Sequence, residues 1–359
     1  MLMAMNSPND RAIRHELTIE DLNFDPPQLP DEQLREIAHA FYGIQGSFRR
    51  LEGERDQNSR IVTGDGRQFV LKIAAATEAR SIVDFQIKAL QHIARNDPGI
   101  AVPRVQAGTD GNLLYTTSSD KGVHSVRLLS WLPGVPYQDG PFPSMQGLYQ
   151  VGQFLARLSR ALAGFSHPAA SQFMPWDCTN GLVFNPNLIG LLSGEVQGLV
   201  LPFLERLEKQ VYPRLDQVRS QVIHQDGHGA NLLRDPGGNE DVAGMIDFGD
   251  MVHGPIVCDL AVSLTDFIEV TESPLKVACA MSQGFHSLIP LSTEELDLLL
   301  DLVIARQVLI LELFEFRRRN LANPPRFVTA DQPGIIAGLK MLLALDRKTF
   351  NRELSKVCK

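Results

Sequence analysis

The sequence predicts an α+β fold in two lobes: a small antiparallel β lobe carrying one helix, and a large, mainly helical lobe. Three observations carry this expectation. Hydrophobic spacing between residues 46 and 131 is mostly of period two, and from residue 144 onward it is mostly of helical period. Between them, "LPGVPYQDGPFP" (132–143) is rich in proline and glycine and reads as a hinge. Two lobes joined in this way enclose a cleft.

The elements follow in order. Residues 1–30 are polar and proline-bearing ("DPPQLPDEQ") and read as a lead-in, followed by the β lobe over 31–131, the hinge over 132–143 and the helical lobe over 144–359. "DEQLREIAHAFYGI" has helical spacing. "GSFRRLEGERDQNSRIVTGDGRQFVLKI" alternates as strands do, with "TGDG" as a hairpin turn. In "ATEARSIVDFQIKALQHIA" the apolar Ile82, Phe85, Ala89, Leu90 and Ile93 fall on one helix face. Further strands are expected in "VPRVQA", "NLLYTT" and "SVRLLSWL". The second lobe reads as helices near 144–164, 195–212, 256–270, 274–288, 292–319 and 331–356, interrupted by a strand-rich island at 221–248.

Composition narrows the function classes. The 359 residues are 44% hydrophobic and 21% charged, enough for a sizeable core. A formal net charge of −8 argues against a nucleic-acid partner, which needs clustered Lys and Arg. Four dispersed cysteines without a C-x-x-C pair predict reduced thiols and a cytoplasmic location, with neither a disulfide framework nor a zinc site. The greasiest run, "LDLLLDLVIARQVLILELFEF", contains Asp301, Arg306 and Glu312, so it reads as a buried helix with polar contacts and not as a membrane span. Nothing in the sequence speaks to oligomeric state.

Chemistry concentrates in the island. "VIHQDGHGANLL" (222–233) sets His224, Asp226 and Asn231 between two apolar segments, in the form H-x-D-x-x-x-x-N. "VAGMIDFGD" then runs an apolar strand into Asp247, Phe248, Gly249 and Asp250. A carboxylate held at a strand end suits a metal. In "RQFVLKI", Lys72 lies in an apolar strand and needs an anionic partner. Together these supply the parts of phosphoryl transfer: a lysine on phosphates, an Asn and an Asp on Mg²⁺, and an Asp beside the attacking hydroxyl. Mg²⁺ takes one or two carboxylates plus phosphate oxygens, so two protein ligands suffice. The G-x-x-x-x-G-K-[ST] phosphate loop is absent.

In that order, "FVLKI", "HQDGHGAN" and "IDFGD" resemble the protein-kinase-like superfamily of small-molecule kinases, which includes aminoglycoside phosphotransferases, choline kinases and homoserine kinases. "LEGERDQN" with "DGRQFVLKI", and "IDFGDMVHGPIVCDLAVSLTDF", look closest to the hydroxylysine kinase branch and to the kinase-like domain that some bacteria fuse to a class-III aminotransferase. The resemblance spans roughly residues 30–350 and implies a protein-kinase-like bilobal fold.

It also implies roles. Asp226 would be the general base, Asn231 and Asp247 the Mg²⁺ ligands, and Lys72 the neutraliser of the nucleotide phosphates. "SWLPG", through Ser130 and Leu132, would read the purine edge of ATP or GTP. His224 would be a scaffold and Asp259 a brace of the loop through backbone N–H groups. Where the family carries a Gly-rich loop this chain has only Gly53, so Arg55 or nearby N–H groups would cover the phosphates. The helix partner of Lys72 falls on Gln86 or on Glu78. His228, Asp250, Trp176 and Asp177 are possible substrate contacts; Asp250 is equally a turn residue and Trp176 equally a packing residue. The acceptor would be a small hydroxyl compound, cationic in character, for which Asp250, Asp266 and Glu269 would suit an amine: 5-hydroxylysine first, with aminoglycoside, homoserine, or choline and ethanolamine as alternatives. A nucleotide-binding pseudokinase is the reading from another class.

Overall fold

The computed structural model of the chain describes residues 17–18, 21–22, 25–238, 240–269, 273–322, 324–325, 328 and 332–359. Most of the expected lead-in lies outside the described residues.

The first lobe is an antiparallel sheet built from β1 (Gly46–Leu51), β2 (Asp56–Thr63), β3 (Gln68–Ala74), β4 (Val105–Gln106), β5 (Tyr115–Ser119) and β6 (Gly122–Ser130). The order is β1-β2-β3-β6-β4, with β5 also paired to β6. β2 and β3 turn at "TGDG" as expected, Gly66 N–H donating to the Thr63 carbonyl at 2.9 Å. Period-two alternation sorts the side chains. Phe69, Leu71 and Ile73 of β3, with Val126 and Leu128 of β6, pack on Leu34, Ile37, Ala38 and Tyr42 of α1 (Asp31–Tyr42). The opposite face therefore carries Lys72 and Arg127, directly opposite one another in the β3–β6 register. On this side α2 (Arg80–Asn96) sends Phe85, Leu90 and Ile93 into the main core. The sheet thus carries two helices and not one, because the amphipathic helix at the head of the lobe covers its second apolar face.

The expected hinge contains a short strand, β7 (Val135–Pro136), that pairs with β9 (Leu232–Arg234) of the second lobe. The strand island proves longer than expected: β8 (Ser220–Ile223), β9, β10 (Val242–Met245) and β11 (Val252–Pro255). Around it lie α3 (Met145–Leu162), α4 (Gly194–Arg206), α5 (Val257–Glu269), α6 (Pro274–His286), α7 (Thr293–Asn320), α8 (Gln332–Ala344) and α9 (Arg347–Val357). α7 begins with a capping box: Glu295 N–H donates to Ser292 Oγ and Ser292 N–H to Glu295 Oε2. The single helix expected over 331–356 is two, because Asp346 caps a new start by accepting from Thr349 N–H at 2.8 Å. α3 and α6 cross at glycines: a Cβ on Gly152 would stand 2.0 Å from the Met281 carbonyl oxygen, and one on Gly284 1.9 Å from that of Tyr149. Among the described residues no helix is long and apolar enough to cross a membrane.

Candidate active site

Two antiparallel pairs aim two loops at one point. β8 pairs with β11, placing Ile223 opposite Val252, and β9 pairs with β10. The Ile246 N–H donates to the Asn231 carbonyl at 2.9 Å, so the ends of the 224–231 and 247–251 loops are bonded neighbours. Each loop leaves its strand through a left-handed residue, Gln225 at φ 67° and Asp247 at φ 61°. Among the described non-glycine residues only these two have positive φ. Such conformations persist only where the surroundings enforce them.

The enforcement comes from one stripe of α5. Asp259 accepts from Gln225 N–H at 2.8 Å and His224 N–H at 3.4 Å. Ser263 donates to the Gly227 carbonyl, and Asp266 accepts from Gly229 N–H at 2.8 Å. Positions 259, 263 and 266 share a helix face. Asp266 is thus engaged by the loop through one carboxylate oxygen. His224 is fully buried, edge-on to Phe248 at 4.6 Å, and its Nδ1 accepts from Asp226 N–H. Burial lowers its pKa to about 4, so the ring is neutral.

Asp226 faces a crowded set of partners. Its Oδ2 accepts from Asn231 Nδ2 at 2.7 Å. Its Oδ1 lies 3.5 Å from His228 Nε2 and 3.7 Å from the Arg306 guanidinium. Burial pushes its pKa up, but His228 and Arg306 outweigh that and keep it below the usual value. Burial likewise favours a neutral His228, yet Asp226 and Asp266 raise it to about 9. Asp247 is exposed at the strand end, one carboxylate oxygen accepting from Gly249 N–H at 3.3 Å. Asp250 is driven up to about 7 by burial, with Asp226 and Asp247 adding to the rise against the relief given by Arg55.

These residues fit a divalent cation. The Asn231 amide nitrogen is turned to Asp226, which leaves its oxygen free of that contact, and the Asn231 and Asp247 side chains both offer hard oxygen donors. The mutual repulsion of Asp226, Asp247 and Asp250 is the kind of charge excess a bound Mg²⁺ would neutralise. Among the described residues no group of three His, Cys, Asp or Glu is arranged to hold a metal.

On the β lobe, Lys72 finds its anion on a strand and not on the helix. Lys72 Nζ lies 3.1 Å from Asp56, which also pairs with Arg127 at 3.0 Å. Arg127 in turn donates to Gln86 Oε1 at 2.7 Å. The expectation that Gln86 or Glu78 partners Lys72 is corrected: Gln86 holds Arg127, and Glu78 sits in the field of Arg55. The physical reason is the register. Lys72 and Arg127 stand side by side across β3 and β6, and Asp56 separates two like charges that would otherwise repel. Arg127 and Lys72 pull the Asp56 pKa down to about 2 against its burial.

Arg55 reaches over the cleft, its Nη2 2.7 Å from Asp250 and 3.5 Å from Met174 Sδ. Ser130 is less available to a purine than expected. Its N–H donates to the Arg104 carbonyl and its Oγ accepts from Arg104 N–H, which leaves its carbonyl and its hydroxyl proton. No hydrogen bond among the described residues engages the Leu132 N–H or C=O. β10 passes close beneath at Gly244 (φ +152°), where a Cβ would meet the Leu132 side chain at 2.4 Å.

Beyond the base lies a third wall. Trp176 packs edge-on to Phe314 at 6.1 Å and lies under the Arg306 guanidinium at 5.6 Å; Arg306 also donates to the Trp176 carbonyl. Asp177 Oδ1 accepts from Thr179 N–H, Thr179 Oγ1 and Gln225 Nε2. Arg306, Phe314 and Arg317 form the cleft face of α7, and Arg317 pairs with Glu54. Glu312 points elsewhere, fully buried with neither carboxylate oxygen bonded, and Glu315 pairs with Arg318 and Arg319. The sequence reading missed Asp56 and Arg127 as site residues, and it left open which one or two of Arg306, Glu312 and Glu315 on the long helix line the cleft; the structure turns Arg306 toward Asp226.

Comparison with known proteins places this geometry. A profile of the phosphotransferase enzyme family matches residues 47–290. Hydroxylysine kinase of Danio rerio is 29% identical over 294 residues, 78% of this chain and 82% of that protein. Two solved structures share the fold. A microcompartment-associated aminopropanol kinase, 18% identical, has a TM-score of 0.66 and covers 91% of this chain and 98% of its own. Amicoumacin kinase hAmiN in complex with AMP-PNP, Ca²⁺ and Ami, 15% identical, has a TM-score of 0.64 and covers 90% and 94%.

Proposed function

The chain belongs to the phosphotransferase enzyme family, and from that premise we propose that it is a Mg²⁺-dependent kinase of an amino alcohol or hydroxy amino acid, with 5-hydroxylysine the leading acceptor. The observation that carries the reading is the joint placement of a base and a metal pair: Asp226 bonded to Asn231 at 2.7 Å, and Asp247 one bonded residue away across β9–β10. Hydroxylysine kinase relatives support the acceptor, and the nucleotide analogue with Ca²⁺ in the amicoumacin kinase supports a nucleotide donor with a divalent cation. ATP or GTP would serve as donor. Free thiols at all four cysteines suit a cytoplasmic setting.

In this reading the acceptor hydroxyl oxygen forms a bond to the γ-phosphorus while the bond from that phosphorus to the β,γ-bridging oxygen breaks. The hydroxyl proton passes to an Asp226 oxygen, and the nucleoside diphosphate leaves with the bridging electron pair. Asp226 orients the hydroxyl as much as it accepts the proton, held by Asn231 and by a backbone that α5 fixes. Mg²⁺, held by Asn231 and Asp247, would neutralise the phosphate oxygens. Lys72, fixed by Asp56, and Arg55, poised beside Asp250, add positive charge at the phosphates. The Leu132 backbone would meet the purine edge. Asp177, whose Oδ2 accepts no hydrogen bond among the described residues, would face the acceptor's ammonium, with Trp176 as a wall and His228 beside the hydroxyl.

The test is phosphoryl transfer from ATP or GTP, with Mg²⁺, to 5-hydroxylysine, homoserine, ethanolamine, choline and two aminoglycosides. One acceptor should be phosphorylated well above water. Asp226→Ala should lower its turnover by ~10²–10⁴ with nucleotide binding retained. Asp247→Ala should weaken Mg²⁺–nucleotide binding itself. Nucleotide binding without transfer to any acceptor would favour the pseudokinase, and absence of nucleotide binding would remove the kinase reading altogether.

A further inference from the structure

We propose that Arg306 anchors a carboxylate on the acceptor, so that the enzyme takes hydroxy amino acids and discriminates against amino alcohols that lack the carboxylate. The inference rests on the kinase reading above and narrows its substrate class.

The argument begins with a buried cation. Arg306 is 5% exposed, in the middle of α7 and among apolar neighbours. A guanidinium cannot shed its charge there, so its donors need acceptors. One nitrogen donates to the Trp176 carbonyl, and the Trp176 ring lies against the guanidinium carbon at 5.6 Å. These two contacts fix the plane of the fork. The other nitrogen lies 3.7 Å from Asp226 Oδ1, close enough for attraction and beyond hydrogen-bond length. A planar fork held on one edge therefore presents donors to the space in which an acceptor hydroxyl must approach Asp226.

Charge decides what occupies that space. A purely cationic acceptor, such as choline, ethanolamine or an aminoglycoside, would place its charge near a fixed, poorly solvated guanidinium. A carboxylate there gains charge-assisted bonds from a preorganised fork. Asp177 directly follows Trp176, whose carbonyl holds Arg306, and it accepts from Gln225, the neighbour of Asp226, so a carboxylate stands beside the fork for the ammonium of a zwitterion. One cation and one anion flanking the base is a pattern for an amino acid and not for a simple amine.

The experiment compares acceptors that differ only in the carboxylate: homoserine against 3-aminopropan-1-ol, 5-hydroxylysine against 1,5-diaminopentan-2-ol, and serine against ethanolamine. With the unmodified enzyme, kcat/KM for the carboxylated member of the preferred pair should exceed that of its partner by about 10²-fold. Arg306→Met should collapse that ratio to within about threefold, acting on the KM of the carboxylated acceptor, and Arg306→Lys should fall between, keeping charge without the fork. A thermal shift with Mg²⁺ and nucleotide establishes that each variant is folded. Equal use of both members by the unmodified enzyme, or a preference for the decarboxylated one, overturns the anchor while the kinase reading stands. A ratio unchanged in Arg306→Met overturns it as well, since Arg306 would then act only through Asp226. Phosphorylation of no acceptor in any pair overturns the anchor, and transfer to choline or an aminoglycoside then tells whether the kinase reading stands without it.

Discussion

At the scale of single residues, the 224–231 loop was legible as a candidate site because its polar residues are written in nearly consecutive positions. Asp226, Asn231 and Asp247 keep their order and spacing, and the strands that present them are short apolar runs. Asp259, too, was readable as a brace from its place on the helix that follows the second loop. The partner of Lys72 was not, since it depends on which residues of β2 and β6 stand beside β3, a matter of register that spacing along one strand does not reveal. His224 shows what the buried loop demands. The ring must be neutral to sit at zero exposure against Phe248, and burial holds its pKa near 4 against an ordinary 6.5. The folded form then binds fewer protons than the unfolded chain between those values. Its contribution is fully present above about pH 6.5 and is lost as pH falls toward 4. Urea unfolding should record this residue's share as a loss of about 2 kcal/mol between pH 7 and pH 5. Asp259, raised to about 6 by burial, slopes the opposite way, so the comparison must be with a variant. His224→Gln should remove the His224 component, and an identical pH slope in parent and variant would place the titration elsewhere.

At the scale of elements, periodicity found nearly every helix and strand, because amphipathic faces repeat over many residues. It failed where a break depends on a cap and not on hydrophobicity. The 331–356 run turns polar after Leu345 but keeps helical spacing through Phe350 and Leu354, so it reads as one helix, and the Asp346–Thr349 cap divides it. The α3–α6 crossing was equally hidden, for glycine in a helical pattern looks like a weakness until a partner backbone is brought against it. Gly152 meets Met281 and Gly284 meets Tyr149 at distances that exclude a methyl group. Gly284→Ala would raise helix propensity, a gain of roughly 1 kcal/mol at an exposed site. Here the new Cβ must push two packed helices apart, and overpacking of this kind costs about 1–3 kcal/mol. The variant should therefore unfold at lower denaturant than the parent, and a higher midpoint would mean that the helices separate freely.

At the scale of the whole molecule, two ion pairs carry the tip between β1 and β2 across the cleft: Arg55 to Asp250, and Glu54 to Arg317. Neither was legible in sequence, since the partners of the second pair are 263 residues apart. Both lie on segments that the two lobes bring together only once folded. Their positions give them different tasks. Asp250 shares its neighbourhood with Asp226 and Asp247, so in the proposed kinase a nucleotide with Mg²⁺ would draw Arg55 to phosphate while the metal offsets the charge on Asp250. Glu54 and Arg317 lie outside that exchange and can hold the tip down throughout. The pair is half screened, with Glu54 at 39% side-chain exposure against 2% for Arg317, so its contribution is modest, on the order of 1 kcal/mol. If it restrains opening, Glu54→Gln should speed nucleotide release by roughly three- to tenfold, measured by stopped-flow displacement of a fluorescent nucleotide. Turnover would rise by a similar factor where release limits it and would stay level where chemistry does. A release rate equal to the parent's would show that the tip is held by Arg55 and the phosphates alone, and that the Glu54–Arg317 pair closes nothing.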